Sequence, residues 1–408
     1  MKNVVEFPQL IERGCGLDVH QQTVVATIKG SGIKEETRTF GTFTGELHLL
    51  AHWLKENQIT HLAMESTGVY WKPVYNILGS DFEIILVNAR HIKNVPGHKT
   101  DKKDSSWIAK LLLSGLLKGS FIPNRPIREL RDLYRYKRKL IRQRVSERNR
   151  VQKVFQDANI KLASVISDLF GATGTAIQEA IIDGHTDPFY LASLAKGSLS
   201  KKKRELQLAL QGHLTEHHLF MLRIHKQALA NIEELILEVN DRIDHCLHPY
   251  QRQVDLLQTI PGVGVETAGG IIAEVGCDME AFPTEKHLAS WAGICPGNNE
   301  SAGKKKSERT THGDKILKTA LVEASWAASH TKDSFLRRKY NSLIARTGKK
   351  KALIAVGHKI LCAAFFILKN NEPYREPDET ALQEKRKQAQ IQRYVKRLHE
   401  LGVSPRLN

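Results

Sequence analysis

The sequence has little cysteine and no long hydrophobic run. Its 5 cysteines among 408 residues include no Cys-x-x-Cys pair, so neither a zinc finger nor a disulfide framework is expected. The N-terminus has no apolar stretch of signal-peptide length. The most apolar late stretch, Ile360–Leu368, is shorter than the roughly 20 residues that a membrane-spanning helix needs. We therefore expect a cytoplasmic protein that does not contact a membrane.

Acidic residues are too few to balance the basic ones. Lys and Arg number 61 against 44 Asp and Glu, which gives a formal net charge of +17. A protein that is merely soluble and basic would show the same balance. An excess of this size nevertheless favours a polyanionic partner, and nucleic acid is the usual one.

The first 125 residues have the pattern of an α/β domain. Three strands are predicted first, then a helix that Thr44 is expected to cap, and then strand, helix, strand and helix. The predicted strands are Gly14–Val19, Thr23–Gly30, residues 35–43, Ile59–Ser66 and Phe82–Ala89. This order of elements is expected of a ribonuclease-H-like fold.

Residues 126–250 are predicted to be helical. The first part forms one long helix, which holds ten Lys or Arg and three acids between Arg128 and Arg150. Such a face is often only solvated, but the imbalance without matching acids favours phosphate contact. The arginines expected to bind nucleic acid are Arg135, Arg138, Arg142 and Arg144.

A second long helix carries apolar residues at alternating spacings of three and four, which predicts a coiled-coil seam. The seam residues are Leu229, Ile232, Ile236, Val239 and Ile243. The seam can pair with the first long helix or with another protomer. We expect a dimer or larger homo-oligomer, although periodicity alone does not choose between the two.

Residues 251–371 form the next predicted domain, which is mainly α-helical, and a charged tail covers 372–408. The segment Thr259–Gly276 resembles a helix-hairpin-helix element. In such an element the backbone N–H groups at Gly262 and Gly264 point at a phosphate. A plain tight turn explains the same residues nearly as well.

Four acids stand where a metal site is plausible. Asp18 and Glu65 each end an otherwise apolar strand, and a buried carboxylate there is costly unless the strand end opens into a site. Asp101 and Asp104 are spaced i, i+3 at a predicted helix start and share a face. Either aspartate alone is explained by the positive end of the helix. Together, the four hard oxygen donors suit Mg²⁺ or Mn²⁺.

The motifs around these acids carry a family resemblance. The stretches "GLDVH", "MESTGVY" and "HKTDKKDS" resemble the Asp-Glu-Asp-Asp motifs of RuvC-like insertion-sequence transposases, the bridge-RNA-guided recombinases of the IS110 family. The later stretch from "PGVG" to "HGDKILKTAL" is similar to the second, transposase domain of that family. The resemblance implies transposition of double-stranded DNA by strand exchange, guided by a structured non-coding RNA from the element.

The resemblance also implies a nucleophile at Ser301, within "NNESAG". From the residues alone, Ser301 lies in a Gly/Asn-rich loop and is followed by cations that could hold a scissile phosphate and stabilise its charge. These cations are Lys304, Lys305, Lys306 and Arg309. A turn residue in a phosphate-binding loop is the plainer interpretation, and Ser307 is a rival nucleophile.

Three functions follow from these patterns. The first is an RNA-guided DNA recombinase that uses both the metal-binding acids and the serine. The second is a RuvC-like, metal-dependent, structure-specific endonuclease, which needs the acids but forms no covalent intermediate. The third is a nucleic-acid-binding scaffold whose acids are structural, and it predicts no metal requirement.

Overall fold

The computed structural model describes residues 10–66, 68–88, 104–297, 299–301, 304–307 and 309–400. For 299–301 and 304–307 only the backbone is described. The chain divides into two units, Met1–Ile122 and Pro123–Asn408.

The first unit is built on a five-stranded mixed sheet in the order β3-β2-β1-β4-β5. Its first three strands pair antiparallel, whereas β4 and β5 run parallel to β1. The strands are β1 Arg13–Val19, β2 Thr23–Gly30, β3 Glu36–Gly41, β4 His61–Glu65 and β5 Glu83–Val87. The predicted order of strands and helices is therefore confirmed.

Helices cover both faces of this sheet. They are α1 Thr44–Glu56, α2 Trp71–Leu78 and α3 Asp104–Leu113. Side chains alternate along a strand, so Cys15 and Leu17 of β1 join the core with α1 and α2. Ala63 of β4 packs on the other face, with α3. The predicted cap at Thr44 is wrong: Thr44 is the first helical residue, and Phe43 precedes it without a side-chain cap.

The second unit begins with two long helices. Helix α4, Arg125–Asp157, and helix α8, Glu216–Leu247, lie side by side and antiparallel. Between them come α5 Ala172–Ile182, α6 Pro188–Ser193 and α7 Lys203–Ala209. The predicted seam residues Leu229, Ile236 and Ile243 are buried within this chain, which accounts for the periodicity without a second protomer.

Seven further helices and a hairpin follow among the described residues of the second unit. The helices are α9 Gln251–Gln258, α10 Val265–Val275, α11 Glu285–Trp291, α12 Lys315–His330, α13 Phe335–Thr347, α14 Lys349–Asn370 and α15 Glu379–Glu400. The hairpin pairs β6 Asn299–Ser301 with β7 Lys304–Ser307.

Helix α14 is longer than the apolar stretch noted in the sequence. The apolar stretch Ile360–Leu368 belongs to a helix of 22 residues, the one helix of the described chain whose length and composition would let it cross a membrane. Half of its apolar window is buried in the protein. It packs against α11, α12 and α13, as a core helix of this unit does.

Candidate active site and nucleic-acid interface

Asp18 and Glu65 lie at the same end of the sheet. Strands β1 and β4 are parallel neighbours, and Leu17 is opposite Met64, so the next residue of each strand is the acid. Asp18 lies two residues after Gly16 on β1, and Glu65 two residues after Ala63 on β4. Because alternate residues share a face of a sheet, both acids belong to the face that α3 covers.

Helix α3 brings Asp104 to this end. Helix and strand run in opposite directions, because a Cβ on Gly14 would meet Leu112 near the end of α3, whereas one on Gly16 would meet Ser105 at its start. Asp104 is the first residue of the helix, so it lies toward the end of β1 that carries Asp18. The hydroxyl oxygens of Ser105 and Thr27 are 2.7 Å apart and fix this helix start to β2.

Three of the four acids predicted to bind a metal ion lie within the described residues. His20 Nε2 lies 3.1 Å from Asp18 Oδ2. Asp101 is outside the described residues, and within the described part of the chain no three His, Cys, Asp or Glu side chains form a cluster that could hold a metal ion. The three described acids carry the hard oxygen donors that suit Mg²⁺ or Mn²⁺ and lie toward the same end of one sheet face, without forming such a cluster.

Ser301 ends a strand of the basic hairpin. Its backbone pairs with Lys304, and Asn299 pairs with Ser307 across a register shift. A bridge between Pro296 and Thr310 extends the pairing toward the hairpin base. The sequence predicts a loop around Ser301. This prediction is wrong for residues 299–301, whose backbone forms a strand. Only the backbone is described for four residues of this hairpin, and their side chains are not: Ser301, Lys304, Lys305 and Lys306.

The two glycines of the predicted phosphate-binding turn differ in their surroundings. Gly262 has φ +84°, and a Cβ there would come within 2.8 Å of Ala328 Cα on α12. Packing therefore requires this glycine. Gly264 precedes α10 as its N-cap, and a Cβ there would meet nothing within 4 Å. The Cβ side of Gly262 is therefore packed against α12, whereas that of Gly264 faces open space.

Arg135 of the basic helix already has acidic partners. It donates two hydrogen bonds to Glu274, at 2.9 and 2.8 Å, and one at 2.9 Å to Asp314. Arg131 also pairs with Glu274, whose side chain is only 1% exposed. Burial lowers the pKa of Arg131, although Glu274 opposes this change.

The other predicted arginines are less engaged. Arg138 pairs with Glu323 at 3.6 Å, whereas Arg142 and Arg144 have no carboxylate partner among the described side chains. Arg135, Arg138 and Arg142 line a pocket of about 580 Å³, together with Lys139. The expectation that this helix lacks matching acids is wrong for Arg135 and Arg138, because their partners come from α10, α12 and the residue preceding α12.

Two transposase models match the chain. The first, a DEDD-type transposase of the IS110 group, matches residues 15–160. The second, described as "Transposase IS116/IS110/IS902 family", matches residues 254–341. The chain belongs to the IS110 family of transposases. The first match contains the four predicted acids, and the second contains Ser301.

Named relatives agree with this family. The chain is 23% identical over 326 residues to a transposase for insertion sequence element IS1111A from Coxiella burnetii, covering 77% of this chain and 79% of that protein. It is 28% identical over 198 residues to a pilin gene-inverting protein of Moraxella bovis. That match covers 43% of this chain and spans 60% of the length of the relative.

Sequence reasoning missed Glu274 and Asp314. Each leaves a trace in the sequence of this IS110-family chain. Glu274 interrupts the apolar run "GGIIAEVG", and a charge there needs a partner. Asp314 directly precedes α12 and accepts hydrogen bonds from the N–H groups of Ile316 and Leu317, as N-cap aspartates do. Nothing in the sequence indicates that Glu274 and Asp314 share Arg135 as their partner.

Proposed function

We propose that this IS110-family protein is a DNA recombinase that cleaves and exchanges the strands of an insertion sequence, guided by a structured non-coding bridge RNA. Family membership supports the DNA chemistry. The placement of Asp18, Glu65 and Asp104 toward the same end of one sheet face is the observation that supports a metal-dependent reaction. The proposal includes a ribonuclease-H-like first domain and a homo-oligomeric active assembly.

The proposal gives the four acids the role of holding divalent cations. Asp18, Glu65, Asp104 and, outside the described residues, Asp101 would bind Mg²⁺ or Mn²⁺ through carboxylate oxygens. When bound, such a cation neutralises charge on a scissile phosphate and makes its phosphorus easier to attack. His20, whose Nε2 lies 3.1 Å from Asp18 Oδ2, would orient that carboxylate.

Ser301 would be the nucleophile. Its hydroxyl oxygen would bond to the phosphorus while the bond from phosphorus to one sugar oxygen breaks. The serine proton would go to a basic group, and the released sugar oxygen would take up a proton. The phosphodiester linkage would be conserved as a serine–phosphate ester, which a sugar hydroxyl of the exchange partner would then attack. Hydrolysis, by contrast, would not conserve this linkage.

A covalent-trapping experiment tests this division of roles. The full chain is mixed with Mg²⁺, labelled DNA carrying the element ends and the non-coding RNA transcribed from the flanking element DNA, and is then denatured. We expect protein-linked DNA with the wild type and none with Ser301→Ala. Ser307→Ala, the matched control in the same hairpin, should still form the linkage.

The remaining arms separate the alternatives. Asp18→Asn, Glu65→Gln and Asp104→Asn should each abolish cleavage, and so should chelation of the metal. Omission of the RNA should abolish cleavage at the element ends. If Ser301→Ala cuts DNA at the wild-type rate in a metal-dependent reaction, the protein is a RuvC-like endonuclease. Cleavage by none of the proteins, with DNA binding intact, would favour the scaffold.

A further inference from the structure

A second cationic pocket lies at the base of the hairpin, and of its lining residues only Arg309 was given a role above. It has a volume of about 290 Å³ and is lined by Arg309–Gly313, Lys315 and Lys318. The segment Arg309–Gly313 follows β7, and the two lysines belong to the first turns of α12. The pocket therefore combines a loop backbone with the start of a helix.

The walls of this pocket are held in place by backbone contacts. Gly297 N donates to Arg309 O at 2.9 Å, and Thr311 N donates to Cys295 O at 3.1 Å. Gly293 has φ +67°, and a Cβ there would lie 2.7 Å from Gly313 N, so only glycine permits this close approach. The pocket is thus preformed, which lowers the ordering cost of binding a ligand.

The two lysines lie where a helix disfavours cations. The start of a helix carries partial positive charge, and anions rather than cations are stabilised there. Lys315 is the first residue of α12, and the first turn holds no acid. Asp314, just before it, is bound to Arg135 and to two backbone N–H groups. Asp314 therefore satisfies the helix start itself, and the ammonium charges of Lys315 and Lys318 are left for an anion from outside the pocket.

Lys318 has only neutral partners. Its Nζ donates to Thr310 Oγ1 at 2.9 Å and lies 3.5 Å from the carbonyl oxygen of Thr311. No described carboxylate pairs with Lys315 or Lys318. Burial lowers the pKa of Lys318, as expected when an ammonium group loses water without gaining a counter-ion. An anion bound beside it would supply that counter-ion.

Thr311 provides a further polar group. Its hydroxyl oxygen is buried and has no hydrogen-bond partner among the described residues. A buried hydroxyl without a hydrogen-bond partner is unfavourable. A ligand with several acceptor oxygens would accept its hydrogen bond.

We propose that the pocket of Arg309–Gly313, Lys315 and Lys318 binds a backbone phosphodiester of nucleic acid. Its ligand groups are two ammonium groups and threonine hydroxyls, and all of them suit phosphate oxygens. No Phe, Tyr or Trp side chain lines the pocket, so the proposed recognition rests on charge and hydrogen bonding. The inference deepens the proposed function, because it rests on the chain acting on nucleic acid, but it does not depend on Ser301.

Salt-dependent binding tests this proposal. Fluorescence anisotropy is measured with the full chain on a labelled DNA duplex and, separately, on a labelled single-stranded RNA. For the double variant Lys315→Gln/Lys318→Gln we expect the slope of log K against log salt to become shallower. The change should be about 0.9 per lost phosphate contact on duplex DNA and about 0.7 on a single strand.

Matched variants make the outcome specific. Lys332→Gln removes one charge from an exposed lysine just beyond the other end of α12, and its slope should change by less than half as much as that of the double variant, which removes two. Lys318→Arg keeps the charge and should keep most of the wild-type slope, which shows that the double variant acts through lost charge rather than through misfolding. A change with DNA alone, with RNA alone or with both supports the pocket and identifies the source of the phosphate.

The inference is overturned if the double variant and Lys332→Gln have the same slopes on both nucleic acids. Failure of the serine chemistry would look different. In that case no covalent protein–DNA complex would form, while the slope of the double variant would still differ from that of the control.

Discussion

Arg135 and Glu274, which are 139 positions apart in the chain, form a bidentate ion pair that joins helices α4 and α10. The two hydrogen bonds measure 2.9 and 2.8 Å, and the Glu274 side chain is 1% exposed. A third hydrogen bond, from Arg135 to Asp314, reaches the residue that caps α12. The basic helix α4 is thereby fixed to α10 and to the start of α12, next to the proposed phosphate pocket.

Loss of Glu274 should destabilise the second unit strongly. Glu274→Ala leaves the guanidinium groups of Arg131 and Arg135 without their buried counter-ion, and breaking a buried pair costs about 3–5 kcal/mol. Chemical denaturation monitored by circular dichroism measures the change. Glu266→Gln is the control, because this 63% exposed carboxylate pairs with Lys137 at the surface and should cost less than about 1 kcal/mol. If both substitutions lowered the free energy of unfolding equally, burial of Glu274 would not be the cause of the loss.

Arg142 and Arg144 should carry the electrostatic binding of α4. Neither has a carboxylate partner among the described side chains, so both charges are available to phosphates. Arg142→Gln/Arg144→Gln should lower the slope of log K against log salt by up to about 1.8 on duplex DNA, at about 0.9 per phosphate. Salt titrations by anisotropy measure it. Arg138→Gln is the comparison, with a smaller expected change because Glu323 pairs with Arg138; unchanged slopes in the double variant would mean that the face is only solvated.

Gly16 should be essential for the position of Asp104. A Cβ at Gly16 would overlap the backbone of Ser105 and Ala109 and reach within 3.0 Å of Ile108 Cβ. Gly16→Ala should therefore push α3 from the sheet and destabilise the first unit by about 1–3 kcal/mol, with loss of cleavage although no acid is changed.

Gly14→Ala is the control on the same face of β1. A Cβ there would meet Leu112 Cδ2 at 2.8 Å, which is the end of a flexible side chain, so a smaller loss is expected. Thermal unfolding and the cleavage assay measure both variants. Equal effects of the two substitutions would show that the close approach of α3 at Gly16 does not matter.

The Cys277 thiol should be slow to react at neutral pH. Burial raises its pKa to about 11, and the thiolate is the reactive form. At pH 8 about one thiol in a thousand is then ionised, against roughly a quarter for a free cysteine of pKa about 8.5. Iodoacetamide labelling read by peptide mass spectrometry should show a rate that rises about tenfold per pH unit from pH 7 to 9. A labelling rate that begins to level off near pH 8.5 in the folded protein would contradict the raised pKa of Cys277. The rate in the urea-unfolded chain should level off in this way.

The sequence by itself determined the local structure. The apolar runs of β1 and β2, the helical spacing of α4 and α8, and the order of elements in the first 120 residues are local features of the sequence. Local patterns are sufficient here because a strand buried on both faces needs a continuous apolar run, whereas each long helix has one face that must be buried. The absence of cysteine pairs and the excess of positive charge are likewise properties of composition.

Only the tertiary structure decided which distant residues contact one another. The seam of α8 is buried within the chain, because α4 lies antiparallel beside it. Arg135 belongs to an ion-pair network, because α10 and α12 bring Glu274 and Asp314 to it. The adjacency of Asp18 and Glu65 requires β4 to add parallel to β1, and Asp104 joins them because Gly16 lets α3 approach. No local pattern encodes these contacts, since each depends on which distant elements become neighbours, and burial and charge pairing select those neighbours only when the whole unit packs.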